Sequence, residues 1–144
     1  MIAAGFEFPE ALHYQVEDQV WAREEADGTV TVGITALGVR LSGEVYMCRP
    51  KRPGTLVERG RSLAVVELAK SIVSVRSPLG GTVVAVNERL AGAPELVHQD
   101  PYGEGWLARL QPADWAADRA ALLHGEPVAA AMAHHAWLHR EALA

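Results

Sequence analysis

The stretch Leu63-Ala64-Val65-Val66-Glu67-Leu68-Ala69-Lys70-Ser71-Ile72-Val73-Ser74-Val75 decides how the rest of the chain is read. Two runs rich in β-branched residues flank a short polar interruption, which predicts two strands joined as a hairpin. Lys70 then sits at or beside the tip, in water. The chain holds two lysines, Lys51 and Lys70, against eleven arginines. A lysine here therefore looks selected for its amine, which can be acylated to an amide where a guanidinium cannot. Charged loop tips are common on their own account, so the rest of the sequence has to supply the reason.

At 144 residues the chain fits one domain with a real core. A net charge of −5 and a pI near 5.6 argue against a nucleic-acid surface or a membrane-surface helix, both of which need concentrated basic charge. Met1 to Phe6 lacks the basic start of a secretory signal, and Glu7 interrupts it. No apolar run is long enough to span a bilayer. The single cysteine, Cys48, can form no internal disulfide, and it reads as a small buried residue. A cytoplasmic location and a monomer are expected.

Outward from the hairpin, residues 1–11 read as an N-terminal leader, a wrap or short helix. Residues 12–110 carry the patterned domain, and 111–144 form a helical extension. Val20-Trp21-Ala22-Arg23 and Thr29 to Ile34 alternate around Glu25-Ala26-Asp27-Gly28, whose Asp-Gly pair signals a hairpin turn. Thr35 to Leu41 predicts a short helix capped by Thr35, and Gly43 to Arg49 an extended segment stopped by Pro50. Gly28-Thr29-Val30-Thr31-Val32 is echoed by Gly81-Thr82-Val83-Val84-Ala85-Val86, a weak sign of two related halves. A loop around Pro94, a sharp turn from Asp100 to Trp106 and a strand from Leu107 to Leu110 follow. From Ala113 alanine and leucine favour helix, divided at Gly125-Glu126-Pro127. The pattern predicts a mainly β fold with short helices at the C-terminus.

Three stretches in one register resemble the glycine-cleavage H-protein family. They are Asp27 to Thr35; Val65-Val66-Glu67-Leu68-Ala69-Lys70-Ser71 with Ser77-Pro78 and Gly80-Gly81; and Asn87-Glu88 through Asp100-Pro101-Tyr102-Gly103-Glu104-Gly105-Trp106. The resemblance implies a lipoyl/biotinyl-type hammerhead, a flattened β-barrel or sandwich of hairpins. It implies covalent lipoic acid on Lys70, with Glu67 recognised by the lipoate-attaching enzyme. Such a protein is not an enzyme; it carries an intermediate on a swinging arm between partner enzymes. Related biotin carriers usually flank their lysine with methionines, where this chain has Ala69 and Ser71.

The sequence also departs from the family pattern. The usual His-Glu-Trp reads Gln19-Val20-Trp21, the usual Glu-Ser-Val-Lys reads Glu67-Leu68-Ala69-Lys70, and Arg49-Pro50-Lys51-Arg52-Pro53 forms a basic loop. With Leu12-His13-Tyr14 and Pro112-Ala113-Asp114-Trp115, these features look like the H-protein-like lipoate-binding proteins of bacterial sulfur oxidation. That resemblance implies a heterodisulfide-reductase-like complex as partner. The alternatives are a glycine cleavage H protein carrying the aminomethyl group among the P, T and L proteins, and a non-lipoylated interaction module.

His134, His135 and His139 suggest a metal site, since His135 and His139 share a helix face, but no carboxylate or cysteine partner completes one. Trp21, Tyr102 and Trp106 could line a pocket for the loaded arm or serve as core anchors. No nucleophile-base pairing or phosphate loop appears, and no catalytic residue or metal ligand is assigned.

Overall fold

In a computed structural model that describes residues 1–144, the N-terminal leader wraps onto the body as a strand pair and not as a helix. It is a tight hairpin of β1 (Ile2–Ala3) and β2 (Phe6–Glu7), turning through Ala4 and Gly5, both at positive φ. Phe8, fully buried, meets the Tyr14 ring edge-on at 5.8 Å, which anchors the leader to the body.

Strands β3 (His13–Gln15), β4 (Val20–Glu24) and β5 (Val30–Ile34) form an antiparallel meander. The β4–β5 turn falls where Asp27-Gly28 placed it. Gly28 takes φ +87, and Asp27 Oδ1 accepts from Thr29 N–H at 3.0 Å. Thr35 caps α1 (Ala36–Ser42) as expected, its hydroxyl oxygen accepting from Gly38 N–H at 2.9 Å. Gly43 closes that helix at φ +86. The next strand is accordingly shorter than the sequence suggests: β6 is Met47–Pro50. Pro50 lies inside it, at the edge of its sheet, where a missing N–H breaks no ladder bond.

After β7 (Leu56–Val57), the long hairpin of β8 (Ser62–Glu67) and β9 (Ile72–Arg76) stands where its β-branched runs predict it. Strand β10 (Gly81–Val86) follows. Two elements unseen in the sequence come next, a 3₁₀ turn at Glu88–Ala91 capped by Asn87 and α2 (Leu96–Gln99). Strand β11 (Ala108–Pro112) then gives way to α3 (Trp115–Ala120), α4 (Pro127–Leu138) and α5 (Arg140–Leu143).

The strands form a six-stranded sheet in the order β3-β4-β5-β11-β10-β7 and a three-stranded sheet in the order β6-β8-β9. The assembly is open, with no closed barrel. The echoed strands β5 and β10 flank β11 on either side.

Three apolar clusters hold these layers together. One joins the inner face of the three-stranded sheet (Cys48, Ala64, Val66, Val75) to Val20, Val39, Leu90, Val97 and Leu107. A second fills the six-stranded sheet around Val32, Val83 and Leu110 and reaches Leu63. The third gathers Ala3, Phe8, Tyr14, Trp21 and Leu37 against Val128 and Met132 of α4. Through it the terminal segments cover the Trp21 side of the sheet.

Candidate functional site

The β8–β9 hairpin carries the candidate site. Its last rung pairs Glu67 with Ile72, and Leu68 N–H donates to Ser71 O at 2.8 Å. Ala69 and Lys70 are left at the apex, neither with positive φ. Lys70 is exposed, and none of the four ion pairs in the protein involves it. A long side chain in water, its amine free of any carboxylate, is geometrically open to acylation from outside.

Glu67 stands at the same end of the hairpin. Opposed residues share a face, so Met47, Glu67 and Ile72 form one outward row and Arg49, Val65 and Ser74 the next. Glu67 and Arg49 thereby flank a shallow apolar hollow of about 210 Å3 floored by Met47, Val65 and Ile72. Ile72 is 66% exposed. An acidic side chain beside exposed aliphatics, next to the apical lysine, offers both charge and apolar area to a partner that handles the tip.

The tip is also tied down. Leu68 packs, partly buried, against the cluster that contains Val20, Val66 and Leu107, and Tyr46 N–H donates to Glu67 O at 2.9 Å. The two apolar departures from the family pattern, Val20 and Leu68, thus meet the same cluster beneath the tip.

Gln19 and Val20 lie inside the protein, so the altered tripeptide changes packing and not a contact surface. Gln19, at φ +55, accepts from the Thr35 hydroxyl at 2.5 Å and donates to Val16 O at 2.7 Å. Of the basic stretch, Arg49 stays in β6 beside the hollow at the tip, while the loop from Lys51 onward is displaced from it. Lys51 N–H donates to Leu63 O at 2.8 Å, which puts the loop at the opposite end of β8, about 13 Å from Glu67 at strand spacing.

Trp21 and Tyr102 are anchors. The fully buried Trp21 directs Nε1–H at the carbonyls of Ile34 and Pro101, each at 3.1 Å. The Tyr102 hydroxyl donates to Glu7 O at 2.7 Å and accepts from Ala36 N–H at 3.0 Å, and burial pushes its pKa up to about 12. Trp106 lies under the Arg109 guanidinium at 5.6 Å. Burial likewise raises the Cys48 thiol to about 12. In the C-terminal segment His135 and His139 do share a face, with ring centroids 4.5 Å apart, while His134 stacks on Trp137.

The family model for the glycine cleavage H-protein matches residues 12–135. The chain belongs to this family. It is 42% identical over 122 residues to glycine cleavage system H protein 2 of Aquifex aeolicus, covering 85% of this chain and 76% of that one. It is 45% identical over 106 residues to the glycine cleavage system H protein of Halorhodospira halophila, covering 74% and 81%. The crystal structure of a glycine cleavage system H protein from Mycobacterium marinum superposes with a TM-score of 0.68 at 32% identity, covering 74% of this chain and 87% of that one. H proteins are non-catalytic carriers that hold lipoic acid covalently on a lysine. No helix of this chain is long and apolar enough to cross a membrane.

Proposed function

We propose that Lys70 is the lipoylated residue of this H-family chain and that the β8–β9 hairpin presents it as a swinging arm. The observation that carries the reading is an exposed lysine, free of ion pairs, at the apex of a pinned hairpin. Amide-linked lipoate supplies a dithiolane that can be opened, loaded on sulfur and closed again. The chain's own residues do the rest: Leu68 and the Tyr46–Glu67 bond hold the apex rigid, and Glu67 marks it for the lipoate-attaching enzyme. A long arm on a rigid base raises the effective concentration of its cargo at each partner without tight protein–protein binding.

For the cargo, we infer oxidised sulfur handled with a heterodisulfide-reductase-like complex. Supporting this are the apolar pair Val20 and Leu68 beneath the tip and the sequence features shared with lipoate-binding proteins of sulfur oxidation. The second reading, an aminomethyl group passed among the glycine cleavage P, T and L proteins, is favoured by the chain's relatives in Aquifex aeolicus and Halorhodospira halophila, both named glycine cleavage system H proteins. Offering the lipoylated protein to glycine decarboxylase and, separately, to a sulfur-oxidising heterodisulfide-reductase-like complex divides them. Turnover with the second alone is expected. Efficient glycine-dependent loading of the arm overturns the sulfur assignment, and equal turnover of Lys70→Arg with either system overturns the carrier role.

A further inference from the structure

Four cations gather at the end of the three-stranded sheet opposite the Lys70 tip. Strand β8 runs from Ser62 at this base to Glu67 at the tip, about 17 Å at strand spacing. Arg61 precedes it, Arg76 of β9 is paired with Ser62, and on the other side of β8 Lys51 N–H donates to Leu63 O at 2.8 Å. Lys51 and Arg76 thus stand about two strand spacings apart, about 10 Å, and Arg52 follows Lys51 in the loop.

All four are exposed, and none takes part in the four ion pairs of the protein. Arg59 is different, since it meets Asp118 at 3.5 Å and shares a hollow with Asp18. Glu58 is the one carboxylate in residues 51–61, and residues 72–81 hold none. Four free cations against that carboxylate leave the base positive on a chain of net charge −5. Apolar surface lies beside them. Leu56, 74% exposed, is paired with Thr82, and Val84, 46% exposed, stands on the same face two residues on. Arg52 is held next to this pair: its carbonyl accepts from the Thr55 hydroxyl at 2.6 Å, and Thr55 O accepts from Val83 N–H at 2.9 Å.

We propose that this base is a docking surface for an acidic face of a protein partner, one with aspartates or glutamates round a small apolar spot. Two exposed aliphatics rimmed by cations have the build of a protein interface and offer no aromatic face on which a nucleobase could stack. A duplex or an anionic bilayer is negative over its whole extent and repels the acidic remainder of the chain, whereas a local acidic patch meets the base alone. Docking at the base leaves the tip uncovered, so a partner can hold the carrier while the arm moves. That use, though not the docking itself, rests on the reading of Lys70 as the attachment point.

In the test, the unmodified chain is titrated with a blocked glutamate-rich peptide carrying a single leucine, and amide shifts are read by NMR. The amides of Lys51, Arg52, Leu56, Arg61 and Arg76 are expected to move, and those of Ala69, Lys70 and Ser71 to stay in place. Lys51→Glu combined with Arg52→Glu should weaken binding by roughly tenfold, the scale of two exposed charge pairs turned repulsive. The neutral pair Lys51→Gln and Arg52→Gln should weaken it less, and Arg140→Glu, at an exposed cation elsewhere, should leave it unchanged. In whichever carrier assay turns over the lipoylated chain, the double reversal should raise the KM for the carrier and leave kcat alone, and added salt should narrow the gap. Shifts centred elsewhere, indifference to the double reversal, or a loss in kcat with KM held overturns the proposal. So does tighter binding of a short DNA duplex or of anionic vesicles than of the peptide at the same amides. Peptide docking as expected on a chain that refuses lipoate sinks the attachment reading and leaves the docking surface standing.

Discussion

Replacing Leu68 by alanine separates a pinned tip from a loose one. Leu68 is the side chain by which the apex grips the core, packed partly buried against the cluster of Val20, Val66 and Leu107. A fully buried leucine costs about 2–5 kcal/mol on truncation; for a partly buried one the expected loss is about 1–2 kcal/mol. In a domain of this size that lowers the melting temperature by roughly 3–8 °C. The local effect should exceed the global one. The Leu68–Ser71 and Tyr46–Glu67 backbone bonds close the tip, so their amides should exchange faster in Leu68→Ala than those of β5 or β11. Urea unfolding with native-state hydrogen exchange reads both, and Leu68→Met, which keeps the volume, should cost under about 1 kcal/mol. Unchanged stability and unchanged exchange at Leu68 and Tyr46 would refute the claim that this side chain holds the apex.

Trp21→Phe removes the donor shared by the Ile34 and Pro101 carbonyls and leaves a void in a fully buried site, so urea unfolding should show a loss of about 2–4 kcal/mol. His13 stacks on His124 at 4.2 Å and its buried Nδ1 has no partner. Burial first, then His124 and Arg119, depress its pKa, against an opposing pull from Glu24. Because the unfolded chain protonates more readily, the contribution is full above the unfolded value near 6.5 and is lost as pH falls below it toward the depressed folded value. Melting temperatures should decline over that window, and His13→Phe should flatten the slope. Cys48, with its thiol pushed up to about 12 by burial, should ignore a disulfide reagent at pH 8 in the native protein and react fully in urea.

What the sequence disclosed was local. The Asp27-Gly28 turn, the Thr35 cap and the β-branched arms around Lys70 each depend on a few adjacent residues, and each stands where it was expected. The N-terminal hairpin escaped because its two-residue strands are too short for any period to register, although Gly5 marked its turn. Glu88–Ala91 and Leu96–Gln99 escaped for the same reason, with Asn87 as the one available signal. The roles of Gln19, Val20 and the Arg49–Arg52 loop depended on pairing register and burial, which adjacent residues do not encode. A hollow between α1 and α2 joins Arg40 and Glu44 to His98, and no sequence motif announces a meeting across that separation.

The central claim, that Lys70 is where this protein carries its group, is tested most directly by intact mass after incubation with a lipoate-attaching enzyme and lipoate. Wild type should gain one lipoyl mass, mapped to the Lys70 peptide, and Lys70→Arg should gain none even though Lys51 remains. An unmodified wild type with an enzyme proven competent on another H protein, or a lipoyl group found on Lys51, would contradict it.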